Sequence, residues 1–192
     1  MRVDSTTYNE FQARQIPEQL SGTSVNLIKP NLSNEALLGC YKLYANAKLG
    51  TYNLWQEIAS LTEMEKRLKL FEEQWNKQIR YRWLIEHAST KEIMGDLVIV
   101  RIDERWNEIE VGFNLAEEHQ KKGYMTEALQ ILMNYSISEL GLNRITAYIC
   151  AKNKRAQGLV KKTGFSRCGL FKKAFQKNEL IDDIQIWQFF EE

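Results

Sequence analysis

Three cysteines and two histidines in 192 residues leave little material for metal or disulfide chemistry. Cys40, Cys150 and Cys168 are odd in number and far apart, so they make no disulfide framework. They show no metal-ligand spacing with each other, His87 and His119 are the only imidazoles, and no metal is expected. Scattered thiols of this kind point to a reduced, cytoplasmic setting. Cys150 falls in a strand pattern and reads as a small core residue rather than a nucleophile. The net charge of +1 supplies no global field toward nucleic acid or an anionic membrane. No apolar run is long enough to span a bilayer. The opening Met1-Arg2-Val3-Asp4-Ser5 lacks the basic-then-apolar pattern of a secretory leader. What remains is a chain with 44% hydrophobic and 27% charged residues, the balance of a soluble globular domain with one sizeable core.

Residues 1–24 are polar and weakly periodic, broken by Pro17 and Gly22, and read as an arm leading into a domain over 25–192. Val25 to Lys29 predicts a first strand, ended by Pro30-Asn31. Ser33 is placed to cap a helix carrying Leu37, Leu38, Tyr41, Tyr44 and Ala45. Thr62 and Glu65 have capping-box spacing before a helix with the stripe Met64, Leu68, Phe71 and Trp75. The period then shortens. Strands are predicted at Tyr81–Glu86, Ile93–Ile102 and Glu108–Leu115. Met125, Ala128, Leu129, Leu132, Ser136 and Leu140 mark a helix face, stopped at Gly141. A strand over 145–150, a short helix over 154–162 stopped at Gly164, and two strands flanking Gln176–Glu179 complete the chain. This order implies an α/β fold with a mixed sheet and helices on both faces.

The chemistry concentrates where the strand Ile109 to Leu115 runs into His119-Gln120-Lys121-Lys122-Gly123-Tyr124-Met125-Thr126-Glu127. A strand, a basic glycine-containing turn and an amphipathic helix make an anion site. The first helical turn holds N–H groups without partners and a partial positive charge. Glycine lets a pyrophosphate approach them.

Four stretches in order resemble the GCN5-related N-acetyltransferases, the GNAT superfamily, over nearly the whole chain from Val25. Gln120 to Met125 resembles the acetyl-CoA loop Q/R-x-x-G-x-G/A. Glu110-Val111-Gly112-Phe113 resembles the strand before it. Arg144-Ile145-Thr146-Ala147, Asn153 and Lys162-Thr163-Gly164-Phe165 resemble the segment that follows. Ile16-Pro17-Glu18 through Val25-Asn26-Leu27 resembles the lead-in of the branch that acetylates ribosomal-protein N-termini (RimJ/RimL-like).

The resemblance implies a mostly antiparallel sheet splayed between its two central strands, with acetyl-CoA as co-substrate and no metal. Backbone N–H groups near Phe113, Asn114 and Leu115 would polarise the acetyl carbonyl. Those of Gln120, Lys121, Lys122, Gly123, Tyr124, Met125 and Thr126 would form the pyrophosphate loop, and Asn153 would bond the cofactor arm. Glu110 is the candidate general base. Direct attack of a primary amine on the thioester is implied, with a protein N-terminus as the acceptor that the branch favours. A small amine (a polyamine or an aminoglycoside) and a CoA-binding module without turnover stay open as alternatives. No nucleic-acid or membrane partner is expected, and the assembly is a monomer or homodimer. The chain departs from the family pattern at Met125, where Gly or Ala is usual, and at Val160 and Ala156, the positions of the usual tyrosine or serine acid. Solvent or another hydroxyl would then protonate the leaving thiolate.

Overall fold

The computed structural model describes residues 16–190. Eight strands form one sheet in the order β1-β2-β3-β4-β5-β6-β8-β7. They are β1 (Gln19–Ser21), β2 (Val25–Ile28), β3 (Tyr81–His87), β4 (Ile93–Asp103), β5 (Glu108–Leu115), β6 (Arg144–Cys150), β7 (Ser166–Lys177) and β8 (Leu180–Phe189). Every neighbouring pair is antiparallel except β5 and β6. A parallel pair needs a crossover, and the helix α4 (Tyr124–Ser138) supplies it. The other α-helices among the described residues are α1 (Asn34–Tyr44), α2 (Ala47–Gly50), α3 (Leu61–Asn76) and α5 (Lys154–Lys162).

Two cores lie on opposite faces. Trp83 and Ile85 of β3, Leu97 and Ile99 of β4, Ile109 and Val111 of β5, and Ile145, Ala147 and Ile149 of β6 pack with Ala128, Leu129 and Leu132 of α4 and Val160 of α5. Leu84 and Ile93 take Ala36, Cys40, Leu43 and Tyr44 of α1 and Met64, Leu68 and Phe71 of α3. Alternation along each strand sends neighbouring residues to opposite faces and separates the two clusters.

Several local expectations shift. The N-cap of α3 is Ser60, which accepts from the Glu63 N–H at 3.2 Å, two residues before the predicted Thr62-Glu65 box. Glu63 reaches back to the Ala59 N–H at 2.8 Å, so the reciprocal pairing exists with different residues. Ser33 caps α1 as expected. Within the segment read as an arm, Gln19–Ser21 is a strand, and the Glu127 carboxylate accepts from the Thr23 and Ser24 N–H groups at the β1–β2 turn. The rest of that arm, residues 1–15, lies outside the described residues. The last hairpin turns on Asn178-Glu179 alone, with Asn178 at φ 52°.

A polar network is buried between α1 and the sheet. Asp96 is fully buried and accepts from the Tyr44 hydroxyl, the Arg82 guanidinium and, at 2.8 Å, Asn114 Nδ2. Arg82 also donates to the Tyr44 oxygen at 2.9 Å and lies over the Phe71 ring. Truncating one member of a buried ion pair strands the other charge at a cost of about 3–5 kcal/mol. Asp96→Ala is therefore expected to lower Tm by roughly 10 °C, and Asp96→Leu with Arg82→Met to recover most of that loss in the same melting experiment. A single variant as stable as the parent would show that the network does not brace the fold.

Candidate active site

The site starts where a strand pair ends. β5 and β6 are in register only at Glu108–Arg144, Ile109–Ile145 and Glu110–Thr146. Beyond Glu110 the two strands part, as the expected splay requires. Along the other edge of β5 the ladder with β4 continues to Leu115. Ala116 donates to the Met94 carbonyl at 2.9 Å. In an antiparallel ladder only alternate residues bond the partner, so Asn114 faces β4, while Phe113 and Leu115 turn their N–H groups toward the parting. The Asn114 side chain is engaged on the same side: Nδ2 gives one hydrogen to Asp96 and Oδ1 accepts from Asn53 at 2.9 Å.

The mouth of the splay is closed by the loop into α4. Gln120 donates to the Leu115 carbonyl at 2.9 Å and accepts from Arg155 at 3.1 Å, tying the loop to β5 and α5. Lys121 takes φ 63° and Gly123 φ 92°. These left-handed steps bring the chain round into the helix, and at Gly123 the conformation suits the residue that lacks a Cβ. Gly123 occupies the N-cap position and offers no side-chain acceptor. Among the described residues, no acceptor lies against the backbone N–H groups of Lys121 to Thr126. Lys121 and Lys122 are exposed, Met125 is buried and the Tyr124 ring packs edge-on to His87. The sixth loop position, Met125, thus contributes backbone outside and core inside. His119 is half-buried, with Nε2 3.3 Å from Glu92.

Across the splay, the Asn153 side chain caps α5 by accepting from the Ala156 N–H at 3.1 Å, which leaves its amide donor unused. Val160 is in the core and Ala156 is half-buried, so neither brings a hydroxyl to the site. Cys150 donates to Asp182 at 2.8 Å; burial and that bond push its thiol up to about 11, so it is no ready nucleophile.

Glu110 sits at the foot of the parting, half-buried, on the face opposite α4. Burial raises its pKa above the usual glutamate value, against the opposing charges of Arg101 and Arg80. Arg101 Nε lies 3.7 Å from the carboxylate. Partial burial works against the Arg101 charge, but Asp103, Glu108, Glu110 and Tyr148 around it raise its pKa. Glu108 is buried and committed: Arg144 holds it at 2.6 Å and Arg101 at 3.3 Å. Of two acids on one strand face, one is locked and one remains at the opening.

Asp96, Arg101, Arg80 and Tyr148 were not singled out by the sequence reading. Asp96 had a signal, a charged residue inside the apolar run Met94-Gly95-Asp96-Leu97-Val98. Arg80, Arg101 and Tyr148 had none, because their grouping depends on sheet register.

A mixed sheet splayed at its parallel pair, with a backbone anion cradle at the mouth, defines a CoA-dependent acyltransferase fold. Residues 27–166 match the acetyltransferase (GNAT) domain family, and the chain belongs to that family of N-acetyltransferases, with acetyl-CoA as co-substrate. It is 24% identical over 153 residues to the uncharacterized N-acetyltransferase YoaA of Bacillus subtilis, covering 80% of this chain and 85% of that protein. It is 23% identical to a spermidine N(1)-acetyltransferase of Vibrio cholerae, covering 76% and 82%. In fold it is similar to a ribosomal alpha-N-protein acetyltransferase, RimL, solved with coenzyme A (TM-score 0.79, 21% identity, 88% of this chain and 95% of that one). The described residues contain no group of His, Cys, Asp and Glu able to hold a metal. No helix among them is long and apolar enough to cross a membrane.

At Gly123 an added Cβ would meet no protein atom, so a substitution there is felt through its φ of 92° and through whatever occupies the cradle. Gly123→Val is expected to cost about 1–2 kcal/mol of stability and to weaken acetyl-CoA binding at least tenfold in calorimetric titration. A folded variant with unchanged affinity would move the pyrophosphate elsewhere.

Proposed function

We propose that this protein transfers the acetyl group of acetyl-CoA to the α-amine of a protein N-terminus. The observation that carries the reading is the half-buried carboxylate of Glu110, less tightly held than Glu108 and paired to Arg101 only at 3.7 Å, at the foot of a splay whose mouth offers the N–H groups of Lys121 to Thr126, unpartnered among the described residues. Those groups suit the pyrophosphate. The Asn153 amide donor suits the pantetheine arm. The N–H groups of Phe113 and Leu115 would meet the carbonyl oxygen as it gains negative charge.

The thioester supplies the acetyl group: a C–N bond forms, the C–S bond breaks and sulfur leaves with the electron pair. Glu110 takes the proton that the attacking ammonium must lose. A terminal α-amine has a pKa near 8, so a carboxylate held above its usual range has little to overcome. With Ala156 and Val160 in the usual acid positions, the thiolate takes its proton from water; thiols of pKa about 8.5 are tolerable leaving groups.

A polyamine is the second reading, motivated by the spermidine acetyltransferase among the relatives. It fits the surroundings of Glu110 less well. A polycation needs several free carboxylates, whereas Glu108 and Asp103 are already bound to Arg144, Arg101 and Arg105.

Glu110→Gln is expected to lower kcat by about a hundredfold or more while leaving the Kd for acetyl-CoA within twofold. In the parent, the acid limb of the kcat/KM profile should lie above the ordinary glutamate pKa, and the variant should lose it. A raised carboxylate pKa means the folded state holds its proton longer than the unfolded chain, so ionisation costs stability as pH rises through that value. Glu110→Gln should therefore keep or raise Tm at neutral pH. An unaltered rate across pH 5 to 9 would remove Glu110 from the mechanism.

A further inference from the structure

Arg80 is a cation without an acid. It precedes β3, is half-buried, and has no carboxylate within ion-pair distance among the described residues. Its Nε is buried with no acceptor. Buried guanidinium groups in proteins ordinarily find a partner. Arg80 lines a cavity of about 320 Å³ together with Lys77, Arg101, Tyr81, Ile99 and Glu104. Three cations face one carboxylate there. Lys77 is 3.5 Å from Glu73 on the surface of α3, and Arg101 is shared among Asp103, Glu108 and Glu110, which leaves Arg80 as the cation of the lining without an ion pair among the described residues; Glu104, the carboxylate of the lining, has a buried oxygen without a partner and makes no ion pair with it.

The cavity adjoins the proposed base. Arg101 lines it and also approaches Glu110 at 3.7 Å, and the Arg80 charge is felt at Glu110. An acceptor amine at Glu110 would therefore place its next atoms toward Arg101 and Arg80. One extended residue spans about 3.3–3.6 Å, so the cavity is within reach of the first few side chains of a peptide. A guanidinium fork is suited to a carboxylate and repels a second ammonium.

Resting on the transferase reading above, we infer that Arg80 and Arg101 select an acceptor whose reacting amine is followed within two or three residues by an acidic side chain. The cavity takes the carboxylate while Glu110 takes the amine. The same site then discriminates against polyamines by charge.

The test measures CoA release at fixed acetyl-CoA with three peptides of equal length, Ser-Glu-Asp-, Ser-Gly-Gly- and Ser-Lys-Lys- at their N-termini, and with free aspartate and spermidine. The acidic peptide should lead the neutral one at least tenfold in kcat/KM, with the basic peptide last and the lead shrinking as salt rises. Arg80→Gln should collapse the acidic-to-neutral ratio toward one, and Arg80→Lys should restore part of it. The melting temperature of each variant and its Kd for acetyl-CoA report that fold and cradle are intact. Turnover of peptides without regard to charge, or a ratio that survives Arg80→Gln, would overturn the inference and leave the transferase reading standing. Free aspartate outpacing the acidic peptide would assign the anion to a small acceptor and overturn the peptide. Spermidine as the preferred acceptor, or no CoA release with any of the five, would overturn the protein-acceptor reading and this inference with it.

Discussion

The working part of the molecule depends on one interrupted pairing. β5 and β6 hold each other for three residues and then separate. A parting within a sheet exposes backbone donors that would otherwise be spent, and leaving such groups unpaired inside a protein is costly. Phe113 and Leu115 are in that position. The topology makes the interruption possible: among the described residues β5 and β6 are the one parallel pair, and their crossover helix α4 begins at the mouth of the gap. The crossover that a parallel pair requires thus delivers a helix N-terminus to the place where donors are already free.

A gap of this kind is useful only if its walls do not close, and the wall formed by β4 and β5 is held from behind. Asp96 gathers Tyr44 from α1, Arg82 from β3 and Asn114 from β5, and Asn114 reaches Asn53 in the connection after α2. Four segments distant in sequence meet at one buried carboxylate. On the mouth side, Gln120 ties loop, β5 and α5 together. These bonds fix side chains that a motif search would assign to the ligand. Gln120, Asn153 and Asn114 each hold neighbouring segments in place through these bonds.

Strands, helices and their order were legible because their signals are local. The stripe Met64, Leu68, Phe71, Trp75 is buried as periodicity requires, and Glu108–Leu115 falls on the predicted residues. The α3 cap slipped by two residues because Ser60-Glu63 and Thr62-Glu65 present nearly equal capping signals, and only packing decides between them. β1 was illegible: three residues with one half-buried position carry no alternation to read, and the strand exists because β2 and Glu127 hold it. The loop proposed to hold the cofactor was visible as a motif, Gln120 to Met125. The surroundings of Glu110 were not legible, since Arg80, Arg101, Glu110 and Tyr148 belong to four segments and meet only through register, including the bulge between Ile99 and Arg101 in β4.

That bulge bears on specificity as well as on shape. Ile99 pairs with Val111, and one extra residue, Val100, puts Arg101 opposite Glu110. Without it the alternation of side chains would send Arg101 to the opposite face. The bulge therefore places a cation beside Glu110, the proposed base, and beside the cavity at once. A base surrounded by guanidinium groups keeps less affinity for protons than burial alone would give it, so the arrangement sacrifices some basicity. What it gains is discrimination, since charge near the reacting amine separates acceptors that present the same nucleophile. Family membership supplies the transfer chemistry common to many relatives, and in the proposed reading the residues that distinguish one acceptor from another are those, like Arg80 and Arg101, that the shared motif does not contain.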